Sequence, residues 1–170
     1  LSRLKTTLIS AKLKKLRKFV GNTPTLRLEC ELEGKKLYIL AKYEAWNFTG
    51  SIKDRMAIQI LEAGYMTGQL EPGNTIVEAT SGNTGISFAA MGAYLGHPVQ
   101  IYMPNWLSTE RKRLLRFYGA KLFEITAKQG DKTASVEPFE GFQVGFTIDF
   151  KHPAFNAENQ TMTLNFSTTL

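Results

Sequence analysis

Two short stretches of the sequence carry side chains that could do chemistry. In the first, residues 47–55 (NFTGSIKDR), Lys53 follows a turn of small residues and precedes a helix-forming run. The second, residues 78–85 (EATSGNTG), is rich in hydroxyl groups and glycine. A partly desolvated lysine has a lowered pKa and can act as a nucleophile or a base. The first stretch is therefore a candidate for a reactive amine, although in isolation a solvent-exposed Lys53 paired with Asp54 is the better explanation.

The second stretch is typical of an anion-binding turn. Gly82 and Gly85 let the backbone approach a ligand closely, and the N–H groups at the start of the following helix favour negative charge. The turn also supplies three hydroxyl donors, on Thr80, Ser81 and Thr84. It lacks the Gly-Lys-Ser/Thr ending of a P-loop and the spacing of the dinucleotide fingerprint. We expect it to bind a carboxylate or a phosphate; the alternative is a plain strand-to-helix turn capped by Asn83.

A regular series of elements must hold these two stretches. Apolar runs predict strands at 36–43, 74–79, 98–104 and 121–126. Helical spacing predicts helices at 52–68, 83–97 and 108–120, the last with Ser108 as its N-cap and Gly119 as its stop. This alternation predicts an α/β fold, a parallel sheet with helices on both faces. Ligands of such sheets bind at the carboxyl ends of the strands, so both stretches should lie at one edge.

The two ends of the chain have a different texture. Apolar residues alternate along 142–150 and again along 162–166, which predicts an antiparallel β-hairpin with one buried face. Residues 1–20 carry leucines at helical spacing opposite lysines, which predicts a helix that packs on the body, a membrane-surface helix or a transit peptide. The predicted domains are therefore a basic helix at 1–20, an α/β domain at 21–127 and a hairpin segment at 128–170.

Composition excludes several classes of protein. The 170 residues are 43% hydrophobic and 21% charged, which is ordinary for a globular chain. Residues 1–20 hold seven basic and no acidic side chains, and the rest carry 14 basic against 15 acidic, so the body has no nucleic-acid footprint. No apolar run approaches the ~20 residues of a membrane span. The single cysteine, Cys30, excludes an internal disulfide and favours a reducing, cytoplasmic compartment.

Four motifs together resemble the cysteine synthase family of pyridoxal-phosphate enzymes, which also includes cystathionine β-synthase. They are VGNTPTLRL (20–28), NFTGSIKDR (47–55), EATSGNTG (78–85) and MPNWLSTERKRLLRFYGAKL (103–122). The likeness covers about residues 19–126 and implies part of a fold-type-II pyridoxal-phosphate enzyme. No glycine-rich loop for the cofactor phosphate follows Thr126, so the resemblance implies an incomplete enzyme that retains the cofactor loosely.

The resemblance implies a role for each site residue. Lys53 would hold the cofactor as a Schiff base and later move the proton at the substrate α-carbon. Asn83 would hydrogen-bond the hydroxyl of the cofactor ring. The substrate carboxylate would be held by Thr80, Ser81, Gly82 and Thr84. The implied reaction is β-replacement, in which an activated serine, a small amino-acid substrate, loses its leaving group to a sulfur nucleophile. The family also implies a possible homodimer.

Residues 130–168 resemble a different enzyme, the zinc-dependent UDP-3-O-acyl-N-acetylglucosamine deacetylase of lipid A synthesis, chiefly through GFTIDFKHP. That family's zinc ligands lie in motifs outside this stretch, and neither His97 nor His152 is expected to bind a metal. The chain is therefore expected to be a chimera of the first half of one enzyme and a hairpin from another. Three functions remain open: the pyridoxal-phosphate enzyme, a non-catalytic α/β module whose grafted hairpin covers apolar surface, and, distantly, a deacetylase fragment.

Overall fold

The computed structural model describes residues 2–80, 82–125, 133–136, 142–143, 155–156 and 161–165, with side chains described from residue 7 to residue 125 except at 81. The chain divides into two compact units, Leu1–Pro72 and Gly73–Leu170. The predicted boundaries near 20 and 128 stay predictions. Within the described ranges, no helix combines the length and the apolar composition that a bilayer crossing needs.

The first unit contains two helices, α1 (Ser2–Arg17) and α2 (Lys53–Thr67), which pack against each other. The buried stripe of α1 consists of Ile9, Leu13 and Leu16, and buried Val20 continues it three residues after the helix ends. The side chain of Arg17 bonds Glu62 and Gln59 on α2. Helix α1 thus packs on its own unit, as the first of the three interpretations expects. Helix α2 ends at Gly68, whose φ of 74° is the left-handed conformation that favours glycine.

In chain order, a two-stranded antiparallel hairpin separates these helices; its strands are β1 (Thr25–Leu32) and β2 (Lys35–Lys42). The prediction of a strand near 36–43 is confirmed, but its assignment to the parallel series is wrong. Glu33 and Gly34 both have positive φ, 52° and 74°, and so form the two-residue turn that joins adjacent antiparallel strands. A strand closed by so short a turn pairs with the strand before it, and β1 is a strand that the sequence pattern did not predict.

The hairpin is amphipathic, and its apolar face is open. Cross-strand partners such as Leu28 and Ile39, or Cys30 and Leu37, lie on the same face because side chains alternate along each strand. The large apolar side chains of this face are all exposed by more than a third: Leu26, Leu28, Leu32, Leu37 and Ile39. On the opposite face Arg27 lies 4.4 Å from the centre of the Tyr38 ring.

The second unit is built on a parallel sheet. Its strands β3 (Ile76–Ala79), β4 (Val99–Pro104) and β5 (Lys121–Ile125) are neighbours in chain order, and helices α3 (Asn83–Leu95) and α4 (Thr109–Phe117) connect them. These strands and helices confirm the predicted parallel α/β series from 74 to 126. Ser108 caps α4 by accepting from the N–H of Arg111 at 3.5 Å. Helices α3 and α4 pack against each other, because successive right-handed connections place helices on one face. Helices on the second face stay a prediction.

Helix α3 lies directly on the sheet, and two glycines make this possible. A Cβ added at Gly92 would come within 2.4 Å of Val99 Cγ2 and 3.3 Å of Ile76 Cδ1. A Cβ added at Gly85 would come within 2.5 Å of Thr80 Cγ2. Glycine costs helix stability relative to alanine, so its presence on a buried helix face reflects the close approach of the helix to the strands.

Antiparallel pairing is present near the C-terminus, as predicted, but the strands that pair differ from the predicted ones. Strand β9 (Thr161–Asn165) pairs antiparallel with both β6 (Thr133–Val136) and β8 (Phe155–Asn156). Strand β7 (Phe142–Gln143) instead pairs in parallel with β3, so the expectation that these two residues belong to the antiparallel hairpin is wrong. The remainder of the predicted strand, residues 144–150, lies outside the described residues.

We expect Gly92→Ala to destabilise the second unit by about 1–3 kcal/mol, because the added methyl group cannot fit between α3 and the short side chain of Val99 unless one of them shifts. The change raises helix propensity, so a loss of stability isolates the packing effect. Urea denaturation monitored by circular dichroism measures it. The control is Ala93→Ser, which adds one atom at the exposed neighbouring position. Equal midpoints for Gly92→Ala and the parent chain would contradict the close approach.

Candidate functional site

Lys53 is the first residue of α2 and its side chain is exposed. Its backbone N–H donates to Ser51 Oγ at 3.0 Å, whereas its side-chain amine has no hydrogen-bond or ion-pair partner among the described residues. The expectation that Lys53 pairs with Asp54 is therefore wrong. The amine is also not desolvated by the residues of its own unit. Lys53 presents an available primary amine at the start of a helix.

The turn before Lys53 is held by the residue after it. Asp54 is fully buried, and its two carboxylate oxygens accept from the N–H and the hydroxyl of Thr49, both at 2.6 Å. Gly50 has a φ of 85°, which a side chain would strain. The N–H of Gly50 donates to the carbonyl of Asn47 at 3.0 Å. The small residues of this motif thus form a closed turn around a buried carboxylate.

The hydroxyl-rich turn joins β3 to α3 in the second unit. Thr80 is buried, and its hydroxyl accepts from the N–H of Gly82 at 3.3 Å. Asn83 is the first residue of α3 and is exposed, while Thr84 follows it and is half-buried. A Cβ built at Gly82 meets no atom within 4 Å, so the space beside the start of the helix is open. Ser81 lies outside the described residues.

These positions define two local arrangements. Thr80, Gly82, Asn83 and Thr84 lie together at the carboxyl end of β3, where the α/β topology predicts a ligand. They offer a carboxamide, hydroxyl groups and the free N–H groups of a helix start, a donor set that suits an anion. Lys53 lies in the other unit. The use of both arrangements by one ligand stays a prediction.

Sequence reasoning missed Glu78, which lies two residues before Thr80. The side chain is only 1% exposed, and its Oε1 atom has no hydrogen-bond partner among the described residues. Burial raises the pKa of the carboxyl group to about 8, so the neutral acid is the stable form in the folded unit at pH 7. A glutamate within the apolar run IVEA was the signal, because the buried strands of parallel sheets seldom carry a charge.

His97 has a structural position. It is 5% exposed, and its Nδ1 atom lies 2.8 Å from the carbonyl oxygen of Asn74. Its backbone N–H donates to the carbonyl of Gly92 at 2.9 Å, which ends α3 in a glycine-containing turn with Gly96 at φ 94°. Across the part of the chain that the structure describes, no cluster of histidine, cysteine, aspartate and glutamate side chains is arranged to hold a metal ion.

Known proteins share this arrangement of elements and motifs. Residues 16–145 match the family described as pyridoxal-phosphate dependent enzyme. Cysteine synthase B of Pseudomonas syringae is 40% identical over 111 residues, which are 65% of this chain and 66% of that protein. Cysteine synthase B of Escherichia coli is 37% identical over 115 residues, 68% of this chain and 38% of that protein. A solved hydrogen sulfide-producing enzyme of Fusobacterium nucleatum is 52% identical, with a TM-score of 0.67, over 71% of this chain and 36% of its own.

The α/β fold, with its parallel sheet and helices, thus matches that of pyridoxal-phosphate enzymes. The chain belongs to the pyridoxal-phosphate dependent enzyme family, whose model covers most of its length. It spans from about a third to two thirds of the length of these relatives. The resemblance of residues 19–126 to cysteine synthases is confirmed, and that of residues 130–168 to the deacetylase stays a prediction.

We expect Glu78→Gln to remove a pH dependence of stability. In the unfolded chain the carboxyl ionises near pH 4.5, whereas in the folded unit it stays protonated up to about pH 8. Between these values the folded state binds the extra proton, so the free energy of unfolding falls as pH rises, by at most about 1.4 kcal/mol per pH unit. Denaturation at pH 5 and at pH 8 measures the slope, which the glutamine variant should lose.

Glu124→Gln is the matched control for that slope. The pKa of Glu124 is lowered, first by its hydrogen bond from Lys112, so its contribution runs in the opposite direction. That contribution is complete above pH 4.5 and is lost as pH falls through the lowered pKa. The free energy of unfolding of this control should therefore change with pH by the same slope as that of the parent chain between pH 5 and pH 8. An unchanged slope in Glu78→Gln would contradict the burial of an ionisable Glu78.

Proposed function

We propose that the chain binds pyridoxal phosphate covalently through Lys53 and performs the cysteine-synthase type of β-replacement on an activated serine. The observation that carries this proposal is the amine of Lys53, which has no partner among the described residues and stands on a turn closed around buried Asp54. Family membership and the identity to cysteine synthases in this segment support it. The cofactor-bound form and the reaction of the whole protein are both part of the proposal.

The residues present fit the chemistry of this cofactor. An available primary amine is what an aldehyde carbon requires, and the amide of Asn83 can hydrogen-bond a phenolic hydroxyl group. The open space beside Gly82 leaves the N–H groups at the start of α3 accessible to an anion. When bound, pyridoxal phosphate supplies the electron sink that stabilises negative charge at the substrate α-carbon.

The protein's own groups would then do three things. Lys53 would attach the cofactor and, once released, accept and return the proton at the substrate α-carbon. Asn83 would orient the ring. The carboxylate of the amino-acid substrate would be bound by the β3–α3 turn through Thr80, Ser81, Thr84 and the N–H groups around Gly82. The hydroxyl of Thr80 accepts from the N–H of Gly82, which leaves its own hydrogen to donate to that carboxylate. A homodimer remains part of this proposal.

The second candidate is a folded α/β module that does not turn over substrate. The exposure of Lys53 favours it, because an amine surrounded by water keeps the reactivity of an ordinary surface lysine. The open apolar face of the β1–β2 hairpin favours it as well, since such a face is typical of a surface that another element covers. Labelling of Lys53 distinguishes this candidate from the first.

We expect Lys53→Ala to abolish specific labelling by pyridoxal phosphate. The chain is incubated with the cofactor and reduced with borohydride, and the modified lysines are identified by peptide mapping. The parent chain should carry the label chiefly on Lys53. The control, Lys14→Ala, removes an exposed lysine of α1 and should leave the Lys53 label intact. Equal labelling of Lys53 and the α1 lysines in the parent chain would refute the first candidate and support the second.

A further inference from the structure

The opening motif, residues 20–28, supplies none of the site residues, yet its first part contacts the lysine motif directly. The N–H of Gly21 donates to Asn47 Oδ1 at 2.8 Å. Gly21 has a φ of 85°, and a Cβ built there would lie 3.1 Å from a guanidinium nitrogen of Arg55. This part of the chain therefore fits against both ends of the 47–55 motif, the one that contains Lys53.

The carboxylate of Glu44 joins these segments through its hydrogen bonds. Glu44 receives a two-pronged ion pair from Arg55, with Nε at 2.8 Å from Oε2 and Nη2 at 2.9 Å from Oε1. It also accepts from Thr23 Oγ1 at 2.6 Å and from Asn47 Nδ2 at 2.8 Å. Charge-assisted, forked bonds of this kind fix orientation as well as distance. Residues 23, 44, 47 and 55 thus form one network, which we name the Glu44 network.

Lys53 stands between two fixed points. The two residues that follow it both reach back across the turn, since Asp54 binds Thr49 and Arg55 binds Glu44. The residue two before it, Ser51, binds the backbone N–H of Lys53 itself. The backbone at Lys53 is therefore constrained on both sides, while the amine at the end of its side chain has no partner among the described residues. This combination fixes the backbone from which the Lys53 side chain extends, without using the amine for structure.

We infer that Glu44 and Arg55 are positioning residues for Lys53, holding its backbone so that the amine is presented to the ligand in a fixed direction. This inference rests on the proposed function of Lys53. Neither residue touches the cofactor or the reacting atoms; both act through the closed turn. The network is more than a stabiliser of the first unit, because its members connect the segment before the turn to the residues that flank Lys53.

The ion pair keeps its charge over the working range of pH. The hydrogen bond from Arg55, followed by the one from Thr23, lowers the pKa of Glu44 to about 2. The same bond raises the pKa of Arg55. The stabilisation from Glu44 is therefore complete above pH 4.5 and is lost only as pH falls towards 2. A positioning device built on this pair does not change its state between pH 5 and pH 9.

The test compares Glu44→Gln and Arg55→Lys with a matched control, Glu62→Gln, which weakens a different arginine–glutamate pair of this unit, the one between Arg17 and the second half of α2. Pyridoxal phosphate and borohydride are added, and the label on Lys53 is measured against exposed Lys14 in the same molecule. The linkage forms when the lysine nitrogen adds to the aldehyde carbon and water leaves; borohydride then delivers a hydride to the resulting C=N bond. Amide hydrogen exchange of the peptide that covers residues 47–56 is measured in parallel.

We expect both network variants to lower Lys53 labelling relative to Lys14 by about tenfold or more, because misplacement by an ångström costs factors of this size. They should also speed amide exchange in the peptide, while Glu62→Gln changes neither quantity. Thr23→Val removes one donor to Glu44 and one acceptor of Arg55 but keeps the ion pair, so it should give a smaller loss in the same direction. This milder variant guards against variants that fail to fold.

Each other outcome is decisive. Faster exchange with unchanged Lys53 labelling would overturn the inference and reduce the network to a structural role. If Lys53 of the parent chain is labelled no faster than Lys14, the proposed function fails. Amide hydrogen exchange of residues 47–56 then tests by itself whether the Glu44 network constrains the turn. In that case, unchanged exchange in both network variants would overturn the constraint on the turn, and faster exchange would support it.

Discussion

The carboxylate of Glu44 is the contact on which the first unit's candidate site depends. It lies in the short helical turn Glu44–Trp46, between the β1–β2 hairpin and α2, and it accepts from side chains on three separate segments of the chain. A single charge that satisfies several donors is costly to remove, since each donor would be left without its partner. The turn that carries Lys53 is therefore anchored at Arg55 by the carboxylate of Glu44, eleven residues earlier in the sequence.

The second unit meets a different constraint, the close contact of α3 with β3 and β4. Gly85 and Gly92 permit that contact, and Thr80 fills the space that a side chain at Gly85 would otherwise take. Thr80 therefore packs against Gly85 on the buried side of the β3–α3 turn. The space beside Gly82, at the start of the helix, remains open. Buried Glu78 imposes a cost on the same strand, because its carboxyl group must stay protonated in the folded state near neutral pH.

Several of these features could be read from the sequence because they depend on neighbouring residues. The helix that begins at Lys53, the cap at Ser108 and the stop at Gly68 each follow from local signals, and the structure contains them. The hydrophobic runs of β3 and β4 and the small-residue helix between them likewise predicted a parallel sheet. The positions of Thr80, Gly82 and Asn83 around one turn followed directly, since they are adjacent in the chain.

Other features required contacts between distant residues. Strand β1 alternates leucine with charge, but its Glu-Gly turn is a weaker hairpin signal than Asn-Gly, and β2 was assigned to the wrong sheet. The Glu44 network joins segments separated by up to 32 residues, from Thr23 to Arg55, and no spacing rule reveals such a cluster. Glu78 carried a local signal in the apolar run IVEA, but the lack of a hydrogen-bond partner for its Oε1 atom among the described residues depends on distant segments and could not be predicted.

The use of both Lys53 and the β3–α3 turn by one ligand can be measured in a titration followed by nuclear magnetic resonance. Pyridoxal phosphate is added to the labelled chain, and the backbone amide signals of Lys53 and of residues 82–84 are followed together. We expect both sets of signals to shift with the same dissociation constant. Shifts confined to Lys53, or two different constants for the two segments, would contradict it.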